Sequence, residues 1–203
     1  MGKNYSWGTE YKSDKPIYVV LFISRNKDNK DVKGFKERRK SFITTDITDY
    51  YLVEHNLYLK FMDFVKGGVY GEMSRFYCSV NSRNAEKIHN KLIHFLIGNP
   101  EFNLCSIDSK IASISANKEC ANEKKWLFDF DIKDLNSVKE FIDDIHKIDT
   151  DIGVARFMTP NGYAVVTNRG FDTRELLSKW GENVTLKKDD LLLRYYDRRG
   201  IDK

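Results

Sequence analysis

The stretch Lys125–Ile132, KWLFDFDI, is the clearest strand of the sequence, and the elements around it are read outward from it. Successive side chains of a strand point to opposite faces, so its three aromatic side chains would face a core. Asp129 and Asp131 would then stand side by side on the other face. The stretch therefore predicts a strand with one apolar face and one face that carries two carboxylates.

The residues after this strand predict a helix and a hairpin. Asp134 can cap a helix whose apolar residues recur at helical spacing. Further on, Thr159–Gly162 (TPNG) is turn chemistry between two antiparallel strands at 153–158 and 163–167. The remaining predicted elements are strands at 16–24, 44–53, 75–80 and 191–196, a helix over 57–65, a helix capped by Ser82, and a short helix that opens with the capping box Asp172–Glu175. Residues 102–121 are weakly patterned and receive no assignment.

The order of these elements indicates the fold class. From Arg75 onward it is β-α-β-α-β-β-α-β, which resembles a split β-α-β, ferredoxin-like or RRM-like layout with helices on one face of an antiparallel sheet. We expect an α+β protein with an antiparallel or mixed sheet and an RRM-like core over residues 75–196. Residues 15–70 would form an N-terminal extension of the sheet that carries a basic segment. No repeat or Gly/Ser linker interrupts the chain, so residues 1–203 are predicted to form a single domain.

Composition excludes several classes of protein. Hydrophobic residues make up 41% of the 203 residues and aromatic residues 13%, too much for a disordered chain. No apolar run reaches the length of a membrane span, and the polar N-terminus lacks a secretory signal, so neither a membrane protein nor a secreted protein is expected. Three cysteines without a C-x-x-C pair argue against a disulfide framework or a zinc site and favour the cytoplasm. Abundant Asn and Ile with little Ala suggest an AT-rich genome, such as that of a phage.

The positive charge is concentrated. The formal net charge is +4, yet Arg25–Lys40 alone holds eight basic and three acidic residues. A second basic group, Arg194, Arg198, Arg199 and Lys203, lies near the C-terminus. Concentrated basic charge is the footprint of a polyanion such as nucleic acid or a nucleotide. Arg25, Arg38 and Arg39 are therefore candidate nucleic-acid-binding residues, with a merely solvated loop as the alternative.

Asp129 and Asp131 are the candidate metal ligands. Two neighbouring carboxylates repel each other, and a divalent cation such as Mg²⁺ or Mn²⁺ would relieve that repulsion. The alternative is a pair of solvent-facing acids that form ion pairs with Lys124, Lys125 or Lys133.

Two further groups could bind phosphate. The first is the turn, where a hydroxyl and a glycine can bring backbone N–H groups close to a phosphate or sugar, although a plain hairpin is the alternative. The second lies on the predicted strand at 75–80 and at its junction with the next helix, where arginines beside a tyrosine can hold phosphates and stack a base, unless they form an ordinary polar sheet face. The candidate nucleotide- or phosphate-binding residues are Arg75, Tyr77, Asn81, Arg83, Thr159, Asn161 and Gly162.

Taken in order, WLFDFD, a helix and then TPNGYAVV resemble the archaeo-eukaryotic primase, or primase-polymerase, superfamily. The resemblance implies an RRM-like core in which Asp129 and Asp131 bind catalytic divalent metal and Thr159 and Gly162 shape a nucleotide turn. It also implies a third acid on a late strand, for which Asp189, Asp190 and Asp197 all remain candidates. Ala164 stands where the family motif has histidine. No Walker A loop, G-x-G-x-x-G or G-x-S-x-G motif occurs.

Together these features predict a cytoplasmic, phage-type protein that binds nucleic acid or nucleotides, with metal-dependent nucleotidyl transfer if it is active. One alternative is a catalytically inactive accessory protein, such as an anti-defence protein, that captures a nucleotide or a host factor. Another is a structural or protein-interaction domain.

Overall fold

The structure is a computed structural model that describes residues 16–45, 47 and 56–200. Eight strands and five helices are defined within these residues. In chain order they are β1 (Tyr18–Ser24), β2 (Arg38–Thr44), α1 (Asn56–Lys66), β3 (Met73–Ser79), α2 (Ala85–Gly98), α3 (Ile107–Ser115), β4 (Trp126–Phe130), α4 (Leu135–Ile148), β5 (Val154–Met158), β6 (Tyr163–Thr167), α5 (Arg174–Trp180), β7 (Val184–Lys187) and β8 (Leu191–Arg198).

The strands form two antiparallel sheets of four strands each. The first sheet has the order β2-β1-β3-β8 and the second the order β5-β6-β4-β7. The predicted α+β class with antiparallel strands is confirmed. The N-terminal strands β1 and β2 pair beside β3 in the first sheet.

The first sheet packs one face against α1. Phe22 and Phe76 point to this face from neighbouring strands, and their rings meet edge to face with centroids 5.1 Å apart. Phe61 of α1 contacts both rings. The aromatic cluster is closed to solvent, since all three side chains are at most 1% exposed. Burial of such rings supplies most of the apolar driving force at this face.

The second sheet has the split β-α-β arrangement. Residues 126–187 run β-α-β-β-α-β, and β4 lies between β6 and β7. The helices α4 and α5 cover one face, where Phe128 and Phe130 pack against Phe141 and Trp180. The split order therefore lies within a shorter part of the chain than residues 75–196, because β3 and β8 pair with the first sheet instead.

The other face of the second sheet meets the first sheet. Leu127 and Ala164 pack against Val80, which follows β3, and Leu192 of β8. These four apolar side chains are each at most 8% exposed. The junction is therefore dry at its centre, and the face that opposes the helices is only partly open to solvent.

Several local predictions need correction. The helix α3 lies in the unassigned stretch 102–121, and β7 was not predicted because four residues are too few to show a pattern. Asn84 rather than Ser82 caps α2, since its side chain accepts the N–H of Lys87. The helix α5 is assigned from Arg174, with Thr173 in the cap position; the predicted cap Asp172 accepts the N–H of Arg174 at 3.1 Å.

Two further corrections concern the basic segment and the residues after it. The last residues of the basic segment, Arg38–Lys40, do not lie in a solvated loop but open β2. The strand predicted over 44–53 lies mostly outside the described residues, which include only 44, 45 and 47 of that range. None of the described helices combines the length and apolarity needed to cross a membrane.

Gly162 is required by a close approach of two backbones. A Cβ atom at this position would lie 2.2 Å from the carbonyl oxygen of Phe130 and 2.6 Å from that of Ile132. Gly162→Ala should therefore lower the free energy of unfolding by about 2 kcal/mol, because neither backbone group can move aside cheaply.

Urea unfolding followed by circular dichroism measures this change. Gly98→Ala is the matched control, since a Cβ atom there meets nothing within 4 Å, and its effect should stay within about 1 kcal/mol. Equal effects of the two substitutions would contradict the packing of the hairpin on β4.

Candidate functional site

Arg198, from the C-terminal basic group, lies at the same end of the first sheet as the connection that carries most of the basic segment Arg25–Lys40. The side chain of Asn29, in the connection from β1 to β2, accepts the N–H of Met73 at 2.6 Å and donates to its carbonyl at 3.0 Å. Met73 opens β3 and pairs with Arg198 near the end of β8. We call this region the basic end; its exposed cations are Lys27, Lys30, Lys33, Lys36, Arg39, Lys40 and Arg198.

Arg25 and Arg75 share one carboxylate within this region. Arg75 donates two hydrogen bonds to Asp28, at 2.8 and 2.7 Å, and both side chains are 8% exposed. Arg25 binds the same carboxylate through two contacts of 2.8 and 3.1 Å. Burial alone would raise the pKa of Asp28, but the hydrogen bonds from the two arginines outweigh it, so the pKa lies below its ordinary value.

Arg38 also has an internal partner. It donates to Glu72 at 3.0 Å and to the carbonyl of Phe64, and its guanidinium lies 4.4 Å from the centre of the Phe64 ring. Arg39, the next residue, is exposed. Of the three predicted nucleic-acid-binding arginines, Arg39 is therefore the one whose guanidinium is turned to solvent, whereas Arg38 ties β2 to the segment before β3.

Asn81 and Arg83 lie in a buried network between the sheets. Asn81 is fully buried; it accepts the N–H of Lys125, donates to the carbonyl of the same residue, and donates to Asp189 at 3.0 Å. Arg83 is 2% exposed and donates to the other oxygen of Asp189 at 2.8 Å. These two predicted phosphate-binding side chains thus have internal partners, while Tyr77 is half-buried on β3.

The carboxylate of Asp129 forms an ion pair with a lysine that the sequence did not single out. Lys187 of β7 lies 2.9 Å from Asp129 and 3.7 Å from Asp190. Burial would lower the pKa of Lys187, but the hydrogen bond and charge of Asp129 outweigh it, so the pKa is raised and the ammonium stays charged. The expected partners Lys124, Lys125 and Lys133 do not take this place. Only the assignment of β7 as a strand beside β4 could have indicated Lys187, and β7 was missed.

The three candidate late acids lie in different surroundings. Asp190 shares Lys187 with Asp129, whereas Asp189 is held by Arg83 and Asn81. Asp197 pairs with Ser74 in the first sheet. Asp131 follows the end of β4, where its N–H donates to Asn183, and its side chain is exposed. Among the described residues, no group of three or more Asp, Glu, His or Cys side chains could hold a metal ion together.

The predicted turn lies beside the acidic strand end. The N–H of Gly162 donates to the hydroxyl of Thr159 at 3.1 Å, and the N–H of Thr159 donates back to the carbonyl of Gly162 at 2.9 Å. Asn161 at the tip is exposed. Next to this turn, Ala164 is 3% exposed and pairs directly with Asp129. The structure therefore brings the D-x-D stretch and the turn together on neighbouring strands.

No protein-family model, curated protein or solved structure matches this chain significantly. The functional argument therefore depends on the side chains and their surroundings.

Removal of the Asp28 carboxylate, which Arg25 and Arg75 share, should lower the stability of the protein. Asp28→Ala leaves two guanidinium groups, one of them buried, without their acceptor, so the free energy of unfolding at pH 7 should fall by about 3 kcal/mol. Because the pKa is lowered in the folded state, this contribution is present above about pH 4 and is lost as the pH falls further.

Chemical unfolding of wild type and variant between pH 7 and pH 3 tests this, and the difference between them should shrink at the acidic end. Asp31→Ala is the control, because Asp31 lies exposed in the same connection. If Asp28→Ala behaved like Asp31→Ala at pH 7, the shared ion pair would not contribute to stability.

Proposed function

We propose that the protein binds nucleic acid through the basic end of its first sheet. The observation that carries this proposal is that Arg198, far away in the sequence, lies at the same end of the first sheet as the basic connection, which Asn29 joins to Met73. A cluster of exposed cations on one surface attracts a polyanion and releases counterions when it binds.

The internal ion pairs reduce the set of side chains that could contact phosphate. Arg38 is paired with Glu72, and Arg75 is a buried partner of Asp28, so both side chains shape the surface rather than contact phosphate. Arg39 and the exposed lysines of the basic end remain turned to solvent. These side chains can neutralise phosphates without breaking a buried pair, which makes them the residues to test.

Reversing charge at Lys36 and Arg39 should weaken nucleic-acid binding. Each phosphate contact to a single strand contributes about 0.7 to the slope of log K against log salt, so losing two contacts should flatten the slope by about 1.4. We expect the double variant Lys36→Glu/Arg39→Glu to lose about tenfold in affinity at physiological salt, as measured by fluorescence anisotropy across a salt series.

The matched control is Lys118→Glu/Lys139→Glu, which makes the same charge change at exposed positions of a 3₁₀ turn and of α4. In both nucleic-acid affinity and salt slope, the control should stay closer to wild type than the test variant does. Equal losses in the two variants would mean that only net charge matters, and the basic end would then not be the binding surface.

A second candidate function is metal-dependent nucleotidyl transfer at the end of β4, as the resemblance to primase-polymerases implies. One observation favours it, namely that Gly162 and Thr159 lie beside the D-x-D strand end. Two others oppose it: Lys187 already neutralises Asp129, and Ala164 offers no side chain that can transfer a proton or contact a phosphate.

Incorporation of labelled nucleotides with Mg²⁺ or Mn²⁺ separates the two functions. If transfer occurs at this site, Asp129→Asn/Asp131→Asn should abolish it while nucleic-acid affinity is kept, because the basic end is unchanged. The control Asp143→Asn/Asp151→Asn removes two exposed acids, one on α4 and one in the connection after it, and should leave transfer intact. Nucleic-acid binding without any incorporation would favour the accessory, non-catalytic protein.

A further inference from the structure

We propose that the face of the first sheet opposite α1 is a stacking platform for the bases of single-stranded nucleic acid, with Tyr196 and Tyr77 as the stacking side chains. This inference rests on the proposed function and adds to it the class of nucleic acid and a second set of contacts. Base stacking can be separated from phosphate binding by experiment, because stacking depends on the surface of the aromatic ring rather than on ionic attraction.

The strand register defines the side chains of this face. Phe22 and Phe76 point toward α1, so the alternate residues of β1 and β3 point away from it. Pairing across the sheet then produces two rows of neighbours on the far face. The first row is Arg39, Ile23, Arg75 and Tyr196, and the second is Ser41, Leu21, Tyr77 and Leu193.

The two tyrosines are accessible to different degrees. Tyr196 is 37% exposed and Tyr77 is half-buried. They lie on adjacent strands, which are about 4.8 Å apart, in neighbouring rows on either side of an irregularity in the β3–β8 pairing between Phe76 and Tyr77. That spacing allows two successive unpaired bases to contact the two rings, since an unstacked strand can extend between them.

The platform borders the basic end on either side of Arg75, whose own side chain is covered and 8% exposed. Arg39 lies in the same row as Tyr196, and Arg198 follows Tyr196 by two positions on β8, which directs it to the same face. Asp28 crosses over Arg75 between these cations and holds it in place. A strand whose phosphates follow Arg39 and Arg198 would therefore carry its bases onto the tyrosine rings.

This arrangement favours unpaired over paired bases. Aromatic rings on a sheet can stack only on base faces, and in a duplex those faces are occupied by neighbouring base pairs. Phosphate contacts, by contrast, are available from either form. The platform therefore predicts a preference for single strands that a basic surface alone would not produce.

The test compares wild type with Tyr196→Ala, using fluorescence anisotropy with DNA and RNA single strands of about 15 nucleotides and a DNA duplex of equal length. Tyr196→Ala should lose about tenfold in affinity for single strands, with the salt slope unchanged, and wild type should bind the duplex more weakly than either single strand. Tyr196→Phe should retain binding because it keeps the ring. Comparison of the DNA and RNA arms identifies which of the two strands the platform prefers.

The control is Leu59→Ala, which removes an exposed apolar side chain from α1 on the opposite side of the sheet. Wild-type affinity for Tyr196→Ala, or equal binding of duplex and single strand, would overturn the platform while leaving the basic end as the binding surface. Absence of all nucleic-acid binding at low salt would overturn the proposed function itself.

Discussion

The amide of Asn81 is the contact on which the arrangement of the two sheets depends. It satisfies both the N–H and the carbonyl of Lys125, at 2.8 and 3.1 Å, much as a neighbouring strand would. The same side chain reaches Asp189 in the connection to β8. This amide is fully buried, and its N–H donors and its carbonyl oxygen are hydrogen-bonded. Loss of these bonds is costly, because no water is available there to replace the missing partner. The amide therefore fixes where β4 begins relative to β3 and β8.

This constraint separates the charges of the protein. With β4 fixed beside β3, Asp129 faces the junction between the sheets, where Lys187 and Asp190 also lie. The opposite end of β3 meets Asn29 and Arg198, and the exposed cations collect there. The exposed cations of the basic end and the carboxylates of Asp129 and Asp190 thus lie at different ends of the connected sheets. The modest net charge of +4 conceals this separation.

The sequence predicted the elements whose pattern is local and missed those that depend on distant partners. KWLFDFDI and the Asp134 cap were read correctly because alternation and capping are properties of a few adjacent residues. The assignment of β3 and β8 to the first sheet could not be derived in the same way, since β8 pairs with β3 across more than 100 residues. The same limit applies to the site. Pairing of the predicted hairpin with the KWLFDFDI strand is enough to place Asp129 near the turn. The roles of Lys187, Asp28 and Glu72 as ion-pair partners depend on how distant segments pack, so the sequence alone does not reveal them.

The pairing of charges also changes what the basic segment can do. Counted along the chain, Arg25–Lys40 is an excess of eight cations over three acids, but the fold divides these cations into two kinds. Arg25 and Arg38 are held by Asp28 and Glu72 and build the surface, while Arg39 and the lysines are exposed on it. Charges held in ion pairs contribute little to a long-range field, and exposed ones contribute to it directly. At the acidic strand end Lys187 pairs with Asp129, whereas the exposed cations of the basic segment lie in the first sheet, the sheet that also carries the exposed Tyr196.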